Sequence, residues 1–430
     1  MMDDLSVQGI PFTRLAEEFG TPLFVYDGEW LTDQYLGLRR RLDRSVDLFY
    51  SLKANPNVAI CAHLSALGAG AEVSSLVELR TARRAGVAPR DIIFPGPGKS
   101  RAELAACLDE GIHAIVCESL GELALIDELA RQRGTVARVA LRVNPNFSLK
   151  SATLAMGGKP RQFGIDEAHL REDPGLLSGY PGVDVVGVHV YMGTRILDAA
   201  VVVENTTRIL ALAEELSTVQ GFPLELVDIG GGLGVPYFDG EPELDLDALA
   251  GPLNEVIAGF RDRHPATRLI MELGRYLVAP AGTYLMRVRY TKTSQGEDFA
   301  ITDGGTHHHM AAVGIGSFVK RNFPMYLASR SSTDPPTEWT VTGPLCTPND
   351  TVGRKVALPA VTVGDLVGVR ASGAYGPTAS PGLFLGHGYP AEVLVRDGVP
   401  HVVRDRDEPA DLLDKQHLPE RAPAPATAGR

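Results

Sequence analysis

The stretch Leu48-Phe49-Tyr50-Ser51-Leu52-Lys53-Ala54-Asn55 is a nearly continuous apolar run that ends in one lysine and is then broken by Pro56-Asn57. Short apolar runs bounded by turn residues read as buried strands. Seven more such runs follow: GAEVSS from Gly70, IIFPGPG from Ile92, AIVCES from Ala114, ARVALRVNP from Ala137, DVVGVHVYMG from Asp184, LELVDIGGG from Leu224 and RLIMELGR from Arg268. Helix-like segments separate them, such as AELAACLDEG and TTRILALAEELSTVQG, the second with a glycine stop at Gly221. Strand and helix alternating eight times predicts an α/β fold of the (β/α)8 (TIM) barrel type. An open doubly wound sheet is the runner-up, but it needs no such regular set of eight. The connection after the fifth run is long, and Gly157 to Gly164 within it is expected to overhang the mouth of the barrel.

After about Pro280 the pattern changes to strands without helices: AGTYLMRVRYTK, DFAITDGG, WTVTGP, VALPAVTVGDLVGVRASGAY and a hairpin, EVLVRDGVPHVV, with an Asp397-Gly398 turn. The expected organisation is therefore an N-terminal segment (1–25) packing on the C-terminal domain, a barrel (26–279), a C-terminal β-sandwich or β-barrel domain (280–415) and a disordered tail (416–430) rich in proline and alanine.

At 430 residues the chain exceeds one ordinary core, in keeping with two domains. Its 44% hydrophobic and 22% charged content is that of a water-soluble globular protein. No apolar run reaches the length of a membrane span and the N-terminus lacks a signal pattern, so a cytoplasmic location is expected. A net charge of −12 argues against nucleic acid or an anionic membrane as partner. The four cysteines, Cys61, Cys107, Cys117 and Cys346, have neither metal-type spacing nor the density of a disulfide framework.

Lys53 stands at the end of its strand, where poor solvation disfavours the ammonium and lowers the pKa. A lysine in that state can form a Schiff base with an aldehyde. From this stretch alone, a lysine that simply leaves toward water fits equally. Gly230-Gly231-Gly232 ends the seventh run and Gly274-Arg275 the eighth. In barrels the loops after strands seven and eight commonly build a phosphate site, and a closed barrel makes strands one and eight neighbours. A triple glycine alone is a tight turn; beside Arg275 and Lys53 it suggests pyridoxal 5′-phosphate. That cofactor needs a partner for its ring nitrogen, and Glu272 is placed to supply one.

The ordered set YSLKAN, AEVSS, GGG, ELGR, GPLC and GAYG resembles the barrel-fold pyridoxal-phosphate decarboxylases typified by diaminopimelate and ornithine decarboxylases, over roughly Thr21 to Arg396. The resemblance implies a barrel plus a β domain, and a head-to-tail homodimer with active sites shared between subunits. By motif, Lys53 would carry the cofactor and Glu272 would pair with its ring nitrogen. Gly231, Gly232, Gly274 and Arg275 would hold the phosphate, helped by Thr194 and by Tyr375 of GAYG. Cys346 of GPLC would reach in from the partner subunit as the acid that protonates Cα after carbon dioxide leaves.

Four departures from the family pattern carry information. The usual ring-stacking histidine after the sixth strand is replaced by Tyr191, with His189 two residues earlier; an aromatic ring can still stack. ELGR stands for the commoner EPGR. Cys346 is followed by Thr347, not by the acidic residue that receives a distal ammonium in relatives acting on diamino substrates. A distal charge left unpaired in a closed site is expensive, although Asp350 could compensate. Finally, His307-His308-His309 follows Asp303-Gly304-Gly305; at strand spacing successive histidines face opposite sides, so no metal is expected.

This last run, with GGKPRQFG, GPLCTPND and FLGH, is similar to a subgroup from antibiotic pathways, the butirosin-type decarboxylases, whose acidic amino-acid substrates are tethered through the side-chain carboxylate to an acyl carrier protein. The expected activity is thus α-decarboxylation of a carrier-bound glutamyl or aspartyl group, with Thr347, Asp350, His307 and Arg161 as candidate substrate contacts. A free amino-acid decarboxylase such as one for diaminopimelate is the rival; a racemase or an inactive regulatory homologue fits less well. An acidic carrier requires a local basic patch, for which Lys320-Arg321 and Lys99-Ser100-Arg101 are candidates.

Overall fold

Eight parallel strands close on themselves in the computed structural model, which describes residues 5–148, 154–155, 160–238, 240–313 and 321–419. A first strand, β1 (Leu23–Asp27), precedes them. The barrel strands are β2 (Val46–Ser51), β3 (Gly70–Glu72), β4 (Ile92–Phe94), β5 (Ala114–Cys117), β6 (Ala137–Asn144), β7 (Val183–His189), β8 (Leu226–Gly231) and β9 (Arg268–Leu273). They pair in chain order, and β9 returns to β2 with Glu272 opposite Phe49. The eight runs read from the sequence are these eight strands. Gly157 lies outside the described residues, as does the tail from 420 on.

The helices between them start where the sequence offers a side-chain acceptor. Ser75, Ser100 and Ser119 each take the backbone N–H three residues on, from Glu78, Glu103 and Glu122, and at Ser100 the glutamate reciprocates. The long helix Ala199–Gln220 ends at Gly221 with φ 73°, the left-handed turn expected there.

Phe49, Ile93, Val116, Ala140, Val186, Leu226 and Ile270 form one buried cluster, with members from seven of the eight strands. Period-two geometry means that residues two positions further along share that face. Of those seven residues, two are apolar (Pro95 and Val188) and five are Ser51, Glu118, Arg142, Asp228 and Glu272, so the barrel filling changes from apolar to largely polar and charged toward the C-terminal ends of the strands. Active sites of barrel enzymes occupy that end.

The second domain is built on β10 (Gly282–Ser294), long enough to serve two sheets. Its first half pairs antiparallel with β1 and with β15 (Leu366–Val369), its second half with β11 (Glu297–Thr302). Between these lie β12 (Met325–Leu327), β13 (Thr337–Thr342) and β14 (Thr351–Leu358), and the sheet extends through β13 and β14. On the other side β1 lies parallel to β16 (Ala391–Arg396), which turns at Asp397-Gly398 into β17 (Val399–Arg404). Both turn residues have positive φ, 53° and 69°, as a two-residue hairpin demands. Phe12, Leu15 and Ala16 of the N-terminal segment pack with Leu23, Leu285, Leu366 and Val393. No helix among the described residues is long and apolar enough to cross a membrane.

Candidate active site

Lys53 sits in a single tight turn, Leu52–Ala54, directly after β2. That turn is clamped by the second domain: the Tyr375 N–H donates to the Ala54 carbonyl (2.7 Å) and Asn55 donates to the Gly373 carbonyl (3.1 Å). Tyr375 has φ 55°, a left-handed conformation that a tyrosine adopts only when its surroundings impose it. The clamp therefore brings the GAYG loop to the mouth of the barrel.

A cavity of about 460 Å³ opens there, within the range usual for small-molecule sites. Lys53, Glu72, Arg142, His189, Tyr191, Thr194, Glu272, Arg275 and Tyr375 all line it. Lys53 Nζ lies 3.1 Å from Glu72 Oε2 and 5.3 Å from the centre of the Tyr191 ring. The expected lowering of the Lys53 pKa is not met. Partial desolvation in the cavity, with the side chain still 39% exposed, disfavours the ammonium, but the carboxylates of Glu72 and then Glu272 outweigh it, and the pKa lies above the ordinary lysine value.

Glu272 is 3.1 Å from His189 Nε2, both side chains being buried. Burial opposes its ionisation; the His189 contact, Lys53 and Arg142 more than offset this and pull it down to about 2. Asp228, close to Glu272, behaves oppositely: burial, then the Glu272 carboxylate, push it well above the ordinary range. His189, Asp228 and Glu272 bring one ligating atom each to within 4.8 Å of one another. The His189 assignment is thus refined: its Nε2–H holds Glu272, and Tyr191 is the aromatic ring nearest Lys53.

Arg275 donates to the Tyr237 hydroxyl (2.8 Å) and lies over the Tyr375 ring at 4.5 Å, while its buried Nε has no partner among the described residues. An unpartnered guanidinium N–H in a cavity is the feature an anionic group satisfies. Gly231, Gly232 and Gly274 do not line the cavity. A Cβ on Gly231 would stand 1.6 Å from the Glu272 carbonyl oxygen, and one on Gly232, at φ 92°, 2.1 Å from that of Gly193, so these positions need glycine for close backbone approach. Amine, buried carboxylate, aromatic ring and anion-seeking guanidinium around one cavity fit pyridoxal 5′-phosphate.

Cys346 is exposed and does not line this cavity, whereas Cys61, Cys107 and Cys117 are buried. Thr347 is part-buried in the same loop. Three expected substrate contacts are placed elsewhere. The Asp350 carboxylate accepts from the Thr306 N–H (2.8 Å), the Thr306 hydroxyl (2.9 Å) and the Leu345 N–H (2.7 Å), because it braces its own loop. His307 is fully buried in the β domain, against His308 and His387. Arg161 is exposed and outside the cavity lining. The three histidines lie on a turn, not a strand; His308 meets the Gly388 carbonyl and Tyr284, and His309 meets Ser372. Burial lowers His307 to about 4 and His309 to about 3. Lys99 is also not the surface cation expected: it is buried against Glu122 and the carbonyls of Gly96 and Val116. Lys320 lies outside the described residues.

Sequence reasoning missed Glu72, Arg142 and Asp228. Their signal was positional: each is a charged residue near the C-terminal end of a run that is otherwise apolar.

The model of the family "Pyridoxal-dependent decarboxylase, pyridoxal binding domain" matches residues 31–279. An L-glutamyl-(BtrI acyl-carrier protein) decarboxylase of Niallia circulans is 40% identical over 408 residues, 94% of this chain and 95% of that one. A diaminopimelate decarboxylase of Neisseria meningitidis serogroup A is 32% identical over 416 residues, 94% and 96% of the two chains. The crystal structure of diaminopimelate decarboxylase from Methanocaldococcus jannaschii superposes with a TM-score of 0.88 at 30% identity, covering 96% of both chains. Matched across barrel and β domain alike, the chain belongs to the pyridoxal-dependent decarboxylases and uses pyridoxal 5′-phosphate.

Proposed function

We propose that this enzyme removes the α-carboxylate from an acidic amino acid, of glutamyl or aspartyl type, held through its side-chain carboxylate as a thioester on an acyl carrier protein in a secondary-metabolite pathway. The observation that carries this reading is the loop after Cys346. Thr347 is neutral, and the one carboxylate in the loop, Asp350, is occupied by three internal donors. A distal ammonium would find no free acid there, and an unpaired charge in a closed site is expensive. A thioester carries no distal charge. The 40% identical relative is named for a glutamyl carrier-protein substrate, against 30–32% identity for the diaminopimelate decarboxylases, and this points the same way.

Lys53 would hold the cofactor, Arg275 with Thr194 and Tyr375 its phosphate, Glu272 its ring nitrogen, and Tyr191 its ring face, while the close packing that Gly231 and Gly232 permit shapes the backbone beside the cavity. When bound, the pyridoxal ring supplies an electron sink for the pair released at Cα as carbon dioxide departs. Glu272, kept ionised by His189, would maintain a positive charge on that nitrogen. Lys53 and Glu72 form an ion pair in the same cavity, poised to exchange a proton with the incoming amine. Cys346, supplied by a second copy in a homodimer, would return the proton to Cα.

Carbon dioxide release tests the substrate. Glutamyl or aspartyl thioesters on a carrier should react at least about a hundredfold faster than free glutamate, lysine or diaminopimelate at equal concentration, as expected where a buried charge lacks its partner. Faster turnover of a free diamino acid would instead make the enzyme a diaminopimelate-type decarboxylase.

A further inference from the structure

Among the described residues a second groove, of about 490 Å³, lies on the β domain beside Cys346. Its floor is the face of β10, β11 and β13, where Lys292, Phe299 and Thr340 stand directly opposite one another across three strands. One end is closed by Leu345 and Thr347, the residues flanking Cys346. Exposed Lys292, Arg354 and Lys355 line it, against one exposed carboxylate in the lining, Glu297. Among the described residues neither Lys292 nor Arg354 has an ion-pair partner, and Lys355 has only a loose, exposed contact to Glu338 at 3.5 Å. In a chain of net charge −12, two unpaired cations and a third held only by a loose exposed contact, beside a single exposed carboxylate, are a local exception.

We infer that this groove receives the phosphodiester-linked pantetheine arm of the carrier protein and the acidic surface around its attachment point. The inference rests on the carrier-bound reading above and names where that carrier docks. The arm's chemistry matches the groove from end to end. Its phosphodiester is an anion that Lys292, Arg354 and Lys355 attract; its amide chain suits a floor of mixed Phe299, Ile301 and Thr340 character; and its thioester end arrives at Thr347, beside the Cys346 thiol. The groove takes over the role for which Lys99 is unavailable. Charge complementarity of this exposed kind governs encounter and salt dependence more than the chemistry that follows.

The test compares two substrates: a glutamyl thioester on the phosphopantetheinylated carrier, and the same glutamyl group on N-acetylcysteamine, which has neither phosphodiester nor carrier. For the triple variant Lys292→Glu, Arg354→Glu, Lys355→Glu, kcat/KM with the carrier should fall about ten- to a hundredfold, mainly through KM. Turnover of the small thioester should stay within about twofold, and raising the salt should weaken only the wild-type reaction with the carrier. An unchanged reaction with the carrier overturns the docking site while leaving the carrier-bound reading intact. Parallel loss with both substrates, together with dissociation in sedimentation, assigns the face to a second copy of the chain and also overturns it. A wild-type enzyme that accepts neither thioester refutes the underlying reading itself.

Discussion

His189 Nε2 stands 3.1 Å from Glu272 Oε1 deep in the barrel, and Asp228 brings a carboxylate oxygen to within 4.8 Å of the same pair. Two acids this close do not both ionise. His189, Lys53 and Arg142 draw the negative charge to Glu272, and burial leaves the proton on Asp228. One negative charge is thereby fixed at a defined atom of the cavity. The sign of its linkage follows: a carboxylate held below its ordinary pKa contributes stability above that pKa, which is lost as pH falls toward about 2.

The first prediction concerns this proton. Asp228→Asn keeps a donor toward Glu272 and should retain most activity, whereas Asp228→Ala leaves a void and should lose it. In the cofactor-free protein at pH 7, infrared spectra should show a protonated carboxyl band that Asp228→Asn removes. If the band survives that substitution, the proton resides elsewhere.

The second prediction concerns Lys53 and Glu72. A lysine whose pKa is raised stays protonated through neutral pH, and its ion pair loses its stabilising effect only as the medium becomes more alkaline than the ordinary lysine pKa. Capture of the cofactor by the cofactor-free protein should therefore quicken with rising pH. Glu72→Gln removes the main opposing charge, and the whole profile should move to lower pH, with capture at pH 8 about tenfold faster. Borohydride reduction and peptide mapping should find the cofactor on Lys53. A pH profile indifferent to Glu72→Gln would show that the 3.1 Å contact does not control the amine.

Cys346 yields the third prediction, because it is exposed and lies outside the cavity that Lys53 lines. If the proposed homodimer shares its sites between subunits, the Lys53→Ala and Cys346→Ala proteins should each be poorly active, and mixing them with subunit exchange should restore activity. The heterodimer then holds one site with both residues intact. No recovery, once exchange is verified, places both residues in the same chain.

Much of this architecture was legible because it is periodic. Eight apolar runs at regular spacing specify a barrel, and Lys53, Glu272 and Arg275 stand out because each ends such a run. Glu72 was harder to see: a lone acid on a three-residue strand carries no local signal, and its meaning comes from a lysine 19 positions away, just past the end of the neighbouring strand. Asp228 was hidden in the same way, its role set by Glu272 on the neighbouring strand. The histidine run was misjudged in detail because a strand period was assumed where Gly304-Gly305 makes a turn. Lys99 reads as a surface cation in any linear window; only the fold places Glu122 and two carbonyls around it.

Asp350 gives the last prediction and separates two roles that the sequence alone leaves open. If it braces the Cys346 loop, its carboxylate matters to folding in the absence of any substrate. Three donors converge on it, from Thr306 and Leu345, and removing a buried charged acceptor of this kind costs about 2–4 kcal/mol. Asp350→Ala should accordingly lower the unfolding free energy by that amount in denaturant titrations. It should also slow proton return at Cα, because Leu345 and Cys346 lose their anchor, and it should do so alike for carrier-bound and free substrates. If Asp350 instead read a distal ammonium, the variant would be as stable as wild type and would raise KM for diamino acids alone. Denaturation midpoints measured beside KM for both substrate classes decide between them, and unchanged stability with a selective KM effect would refute the bracing role.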